Sequence, residues 1–393
     1  MKYKTTIILA VLAAQSVLLG SITSKADAPI EIDRDAKFLG LTPPTPIAIT
    51  GFSGEVASIL RYDLTVMGFT NVPPDSVHYL LQGKNNGNVE GQLSFGKSVL
   101  FSKAYSGASA RTQAHRLADD VVFKITGVNG IAETKVAFKA EMGRDSEIYM
   151  ADFDGFGPQM VTRDHTIVAA PCWVPGHFAL YYTSYKMGNP DIFHQNLSTG
   201  ERSNFAHYPG MNSSAAVSPD GRKVAMILSK SGSPDVYVCD ADGSHLKQLT
   251  TNREYDSSPC WSPNGQWICY ASKAEGRRAL YKVSVDGGAP KRISTSGISN
   301  PSEPDWSPDG KWLAFTAQMG DFNLCVVPAE GGAATLLTSG EDPCWAPNSR
   351  TLIFVRRKGG NSYLSLLDVP TKQVKDVSRV PGSNSNSQPS WAR

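Results

Sequence analysis

The sequence lacks the signatures that would make an enzyme easy to recognise. It has no Gly-x-Ser-x-Gly nucleophile elbow, no His-Glu-x-x-His and no cysteine pair at zinc-ligand spacing. Net charge is also scarce. Lys and Arg total 38 against 36 Asp and Glu, a formal +2 over 393 residues. That balance argues neither for nucleic acid nor for a strongly anionic surface. The six cysteines do not form a disulfide framework. Beyond residue 28, no apolar run approaches the length needed to span a bilayer.

The first 28 residues are the exception. Lys2 and Lys4 open the chain, residues 7–14 form an apolar run extended by 17–19, and Ala26-Asp27-Ala28 fits the small-x-small cleavage rule. Gln15 and Ser16 interrupt the run, so residues 1–28 read as a signal peptide cleaved near Ala28 rather than an anchor. The mature chain is expected outside the cytoplasm. It is long enough for two domains.

What the sequence has in quantity is repetition. Cys260-Trp261-Ser262-Pro263-Asn264-Gly265 runs into Trp267-Ile268-Cys269-Tyr270, two short strands around a turn. Pro presets φ for the turn, and Asn-Gly tolerates the positive φ of a tight hairpin. Related copies begin at Val217, Trp306 and Trp345, a degraded one at Trp173, and a fragment ends at Trp391. Markers at 173, 217, 261, 306, 345 and 391 are spaced by 44, 44, 45, 39 and 46. A second strand-turn-strand unit follows each hairpin, as in residues 235–250 and 280–294. Four strands (A to D) per period of 40–45 residues reads as a propeller blade. Residues 134–138 and 147–162 supply strands B to D of a first blade without its own strand A. Residues 388–391 supply that strand, closing six blades and removing an open edge. If Asn264-Gly265 is a two-residue turn, Cys260 faces Cys269, at a spacing that permits a disulfide without requiring one.

Ahead of the propeller, residues 29–44 form an arm with a proline-rich spacer, and residues 45–130 an α/β domain. The pattern predicts a buried strand at 47–50, strands near 77–81, 89–95 and 98–105, and two helices. The helix over 55–67 places Val56, Ile59, Leu60, Leu64 and Met67 on one face, with Ser53 as its cap and Gly68 as its stop. The helix over 110–125 carries Ala114, Leu117, Ala118, Val121, Val122 and Ile125, capped by Ser109 and ended by Gly127. The propeller is assigned to 131–393.

The residue types that could carry chemistry have simpler readings. Asp152, Asp154, Asp240 and Asp242 sit in Asp-x-Asp-Gly turns without the further ligands of a calcium loop, so they read as turn residues. His115 lies beside an apolar helix stripe and reads as structural. No catalytic, cofactor or metal-binding residue is assigned. Binding is better supported. In a propeller the D-to-A and B-to-C loops share one face. Here they include 163–165, 207–213, 253–258 and 299–303, with 141–145, 186–189, 273–278 and 356–360. They are polar and variable in length, as recognition loops on a rigid scaffold are.

The run from Arg111 through Ala114, His115, Ala118, Asp119, Val122, Thr126, Gly127, Gly130 and Ile131 into Thr134–Phe138 resembles the domain junction of the TolB family. The Trp-Ser-Pro-Asp-Gly repeats resemble that family's six-bladed propeller, and the resemblance covers the mature chain. It implies a periplasmic, monomeric, non-enzymatic adaptor of the Tol–Pal envelope system, supporting outer-membrane integrity and cell division. It implies that Pal, the peptidoglycan-associated lipoprotein, docks at the channel mouth where the A strands begin. Position by position, that suggests Met211, Asn212 and Ser213, then Tyr255, Asp256 and Ser257, then Asn300 and Glu303. It also implies that TolA binds an N-terminal segment, here Ile30, Glu31, Ile32 and Asp33. A different class, a secreted ligand-binding or hydrolytic propeller with its site in the central channel, is the alternative.

Overall fold

The computed structural model describes residues 42–393. The signal-peptide region and the Ile30–Asp33 segment lie outside the described residues.

The first unit is a five-stranded sheet carrying two helices. From one edge to the other its strands are Phe69–Asn71, Thr45–Thr50, Tyr79–Lys84, Val89–Phe95 and Ser98–Tyr105. Thr45–Thr50 pairs in parallel with both of its neighbours, and the remaining pairs are antiparallel. Helices α1 (Gly54–Val66) and α2 (Ala110–Thr126) bury the stripes expected of them, except that Ile125 at the end of α2 is only half-buried. Leu60 and Leu64 of α1 and Leu117 and Val121 of α2 share one core with Ile47, Leu81 and Leu93 of the sheet. The Ser109 hydroxyl caps α2 by accepting from the Thr112 N–H at 3.1 Å, and Gly127 ends it in the left-handed conformation. Ser53 corrects an expectation. It precedes α1 but makes no capping bond; its N–H donates instead to Asn85 Oδ1 at 3.0 Å. Phe69–Asn71 was not expected, since a three-residue edge strand is too short to show a period.

Six four-stranded antiparallel sheets follow, and blades 2 to 6 run A-B-C-D in chain order. The A strands are Ser385–Trp391 for blade 1, then Val168–Trp173, Asn212–Val217, Ser257–Trp261, Pro301–Trp306 and Glu341–Trp345 for blades 2 to 6. Blade 1 is stitched from both ends of the repeat region. Ser390 pairs with Ala137 and Trp391 with Val136. A short parallel pair, Thr295–Ser296 with Gly332–Ala333, is an addition to the repeat.

The repeated turn satisfies its own polar groups. The Ser218 hydroxyl donates to Asp220 Oδ1 at 2.6 Å and accepts from the Lys223 N–H at 2.9 Å, while Asp220 Oδ1 also accepts from the Arg222 N–H at 3.1 Å. Ser262 with Asn264 and Ser307 with Asp309 repeat these bonds. Two of the marker tryptophans join neighbouring blades. The Trp261 indole N–H donates to the Ala216 carbonyl of blade 3 at 2.8 Å, and that of Trp173 to the Ser390 carbonyl of blade 1 at 3.1 Å. Cys260 and Cys269 do face each other in register, and both are free thiols.

The α/β unit packs on blades 1 and 6, whose apolar residues continue its core. Arg111 of α2 pairs with Asp154 in the C–D turn of blade 1 and stacks 3.9 Å over Phe156. The Thr351 hydroxyl, after the A–B turn of blade 6, donates to the Val66 carbonyl at 3.4 Å. Gly68 (φ +89°) permits that approach, because a Cβ there would fall 2.0 Å from the Arg350 guanidinium. At the junction, Asp119 accepts from the N–H groups of Ala132 at 2.9 Å and Glu133 at 3.4 Å.

Candidate partner-binding face

Strand alternation sorts the propeller loops. A–B and C–D turns share one face, and B–C and D–A loops the other. Asp154 lies in a C–D turn and Thr351 beside an A–B turn, so the α/β unit occupies the first face. It leaves the B–C/D–A face unobstructed by its own contacts.

That face is partly apolar. Ile167, Tyr185, Met187, Tyr255 and Met319 are exposed there, Met187 at 57 % and Tyr255 at 52 %. The Tyr255 hydroxyl lies 4.0 Å from Met211 Sδ, linking the loops that enter blades 3 and 4. Large exposed apolar groups on rigid loops are a physical mark of a binding surface.

The eight residues singled out on this face divide by role. Met211, Ser213 and Ser257 are half-buried, and Tyr255 and Asn300 are exposed. Asn212 is wholly buried. Its amide donates to the carbonyls of Tyr208 at 2.8 Å and Pro190 at 3.3 Å, and its oxygen accepts from the Tyr208 N–H at 2.8 Å. Asp256 is also wholly buried, with both oxygens 3.1 Å from the Asn252 amide. Burial raises its pKa above the ordinary value, opposed by the side-chain bonds it accepts. These two side chains shape their loops and present no free atom. Glu303 is half-buried and bonded to the Thr316 hydroxyl at 2.6 Å.

The repeat pattern gave no sign of an irregularity that lines the mouth. Every A strand contains a bulge. At each bulge a non-glycine residue has positive φ: Ala170 (49°), Ser214 (54°), Ser258 (52°), Glu303 (52°), Asp342 (53°) and Gln388 (50°). Each stands three residues before the marker of its blade. Six strained residues at one level around the channel re-aim the side chains that follow them. A second unforeseen element lies at blade 2. Arg202 grips Asp164 through two bonds, of 2.6 and 2.8 Å, and the Ser184 hydroxyl donates to the same carboxylate at 2.6 Å. The guanidinium also stacks 3.9 Å over Phe193. This cluster fixes the loop that carries Ile167.

Other charged candidates are tied into local structure. Asp154 accepts from the Phe156 N–H and pairs with Arg111. Asp242 accepts from Ser244, and Asp240 pairs with Lys223 and His245. His115 is buried, its Nδ1 2.7 Å from Asp63 Oδ2. Among the described residues, no group of three or more His, Cys, Asp or Glu could hold a metal ion, and no helix is long and apolar enough to cross a membrane.

Known proteins share this architecture and sequence. The family model for the TolB beta propeller domain matches residues 122–393. The Tol-Pal system protein TolB of Bordetella pertussis is 30 % identical over 392 residues, covering 90 % of this chain and 89 % of that protein. Its counterpart in Bordetella parapertussis is 29 % identical over 418 residues, covering 96 % and 94 %. The crystal structure of TolB from Acinetobacter baumannii superposes with a TM-score of 0.81 at 22 % identity, covering 90 % of this chain and 98 % of that one. The propeller closed by its last strand, the α/β unit seated on blades 1 and 6, and these matches agree: the chain belongs to the TolB family.

Proposed function

We propose that this protein is a periplasmic, non-enzymatic adaptor of a Tol–Pal system. It binds Pal on the B–C/D–A face of the propeller and TolA through the segment containing Ile30, Glu31, Ile32 and Asp33. By linking the two it supports outer-membrane integrity and cell division. One observation carries the Pal reading: the α/β unit occupies the opposite face, while this one keeps Ile167, Tyr185, Met187 and Tyr255 exposed around a ring of fixed bulges. A rigid rim with apolar side chains suits a folded protein partner, because little conformational entropy is lost on docking. The names of the Bordetella relatives place those proteins in a Tol–Pal system, which supports the choice of partner.

The test is capture of the soluble domain of Pal by the purified chain, repeated with Tyr255→Asp and Arg253→Glu, and capture of TolA by a chain lacking residues 29–41. Capture of Pal by the parent, weakened in both variants, supports the first interaction. Loss of TolA with retention of Pal supports the second. Turnover of a peptide or glycan without Pal capture would favour a site in the channel instead.

A further inference from the structure

Among the six cysteines, one pair meets across two adjoining strands. Cys172 stands opposite Tyr181, Cys239 opposite Val224, Cys344 opposite Ile353, and Cys325 between Phe315 and Leu336. In blade 4, strand A (Ser257–Trp261) sets Cys260 directly against Cys269 of strand B (Trp267–Ser272). Residues directly opposite share a face of the sheet. Both belong to the core that blade 4 forms with Trp306 and Phe315 of blade 5. The ladder fixes their spacing. The Ser262 N–H donates to the Trp267 carbonyl at 2.8 Å, so these two residues form a hydrogen-bonded pair. Pair types alternate along an antiparallel ladder. Cys260 and Cys269, two steps further on, are therefore a hydrogen-bonded pair too, with Cα atoms about 5.5 Å apart. A disulfide spans Cα separations of about 4.4–6.8 Å. Cys325 shares this core but belongs to the facing sheet of blade 5. Stacked sheets lie about 10 Å apart, too far for the bond.

We propose that Cys260 and Cys269 are joined by a disulfide in the protein that folds after export, stapling the A–B hairpin of blade 4. The proposal rests on the reading of the protein as periplasmic, because exported compartments sustain such bonds and the cytosol does not. The co-reactant is an exported oxidant carrying a reactive disulfide. The thiolate of one cysteine attacks that S–S bond, forming a mixed disulfide and releasing the oxidant's other sulfur as a thiolate. The thiolate of the second cysteine then breaks the mixed bond, forms the Cys260–Cys269 bond and frees the oxidant as a dithiol. The pair gives up two electrons and two protons, and the oxidant takes up both electrons. Cys269 is wholly buried and Cys260 is 8 % exposed once the blades have packed. Burial, and then the Cys269 thiol, push the Cys260 thiol well above its ordinary value, and a protonated thiol does not attack. The exchange therefore belongs to a stage of folding before blade 5 covers the hairpin. Pro263 and Asn264-Gly265 favour a local turn that brings the two cysteines together at that stage. A chain folded without the oxidant keeps both thiols, the form that the structure holds. Tyr255 and Asp256 lead directly into strand A, so the staple also anchors the loop they belong to.

Mass spectrometry of the unaltered chain reads the bond. Trypsin cuts after Arg253 and Lys273, so Cys260 and Cys269 fall in one peptide, 254–273, with no other cysteine. In one arm, full-length chain recovered from cells that express it with its own leader is denatured with an alkylating agent and no reductant, then digested. In a second arm, the purified chain is reduced, unfolded and refolded with oxidised glutathione before the same treatment. Peptide 254–273 should be unalkylated and lighter by two hydrogen atoms in both arms, with Cys172, Cys239, Cys325 and Cys344 alkylated. The bond present after refolding but absent from cells would overturn the periplasmic reading and leave the pairing standing. Alkylation of both Cys260 and Cys269 in both arms, or a bond from either to another cysteine, would overturn the proposal. Thermal unfolding of the bonded chain reads the consequence. Tm should fall by several degrees when reductant is added. Cys269→Ala, with no bond to lose, should show no such fall. An equal fall in that variant would remove the staple from the stability of blade 4.

Discussion

Trp391 stands directly across from Val136, and its indole N–H donates to the Thr134 hydroxyl at 2.8 Å. This pairing, between the last strand and the first of the repeat region, turns a row of blades into a ring. Trp391 is 2 % exposed. Replacing it with Ala should cost about 3–5 kcal/mol, the usual range for a buried tryptophan. Denaturant unfolding would measure it. Deleting residues 385–393 should do more than destabilise, because Lys135–Met142 would become an unpaired edge. Light scattering at moderate temperature should show self-association of the deletion and none of the parent. A monomeric deletion variant of parental stability would contradict the closure argument.

The ring was legible because its signal is repeated and local. Ser-Pro-Asp-Gly encodes a turn whose bonds are internal, so each copy announces itself. The bulges were not legible, because Ala170, Ser214, Ser258, Glu303, Asp342 and Gln388 share no residue type that favours positive φ. Their conformation is imposed by packing of inner strands and by bonds from neighbouring blades, which one period cannot reveal. The burial of Asn212 and Asp256 was hidden for a related reason. Both look like loop residues in sequence, yet their loops fold back over them. The Arg202–Asp164 clamp joins a D strand to the preceding loop across a separation that periodicity does not register.

The buried pair Asp63 and His115 should make stability depend on pH. Burial raises Asp63 to about 6, against the lowering effect of the His115 hydrogen bond. Burial alone lowers His115, but the bond to Asp63 and its charge reverse this and leave the imidazole above its ordinary value. The folded pair therefore holds protons more tightly than the unfolded chain. The sign follows from linkage. The stabilisation is complete below the unfolded carboxyl value of 3.8, declines as pH rises through about 6, and continues to decline through the histidine range. Thermal unfolding from about pH 5 to about pH 8 should show a loss of roughly 1–3 kcal/mol attributable to this pair. Asp63→Asn, which keeps a bond to His115, should reduce that slope. An unchanged slope would remove the pair from the account.

Arg111 and Asp154 tie the α/β unit to blade 1 with side chains 13 % and 14 % exposed. Removing one partner of a largely buried pair leaves the other charge uncompensated, so Arg111→Ala should cost about 1–3 kcal/mol after allowing for partial exposure. Arg111→Lys should not restore it fully, since an ammonium cannot stack as a planar guanidinium does over Phe156. Limited proteolysis at the 127–133 junction, with denaturant unfolding alongside, would read both effects. Equal behaviour of the Lys variant and the parent would reduce the contact to simple charge pairing.

The exposed rim residues separate binding from folding. Tyr255 and Met187 are more than half exposed, and among the described residues the Tyr255 hydroxyl meets only the Met211 sulfur, a weak acceptor. Changing either to Asp should therefore alter stability by less than about 0.5 kcal/mol, as expected for an exposed site. If they anchor a partner, the same changes place a charge in a desolvated interface. Affinity for Pal should then fall about tenfold to a hundredfold, chiefly through faster dissociation. Val99 of the α/β unit, exposed at 56 %, is the matched control, and Val99→Asp should leave Pal binding unchanged. Surface-plasmon kinetics on the three variants would decide. Loss of affinity in Val99→Asp but not in the two rim variants would move the docking surface off this face of the propeller.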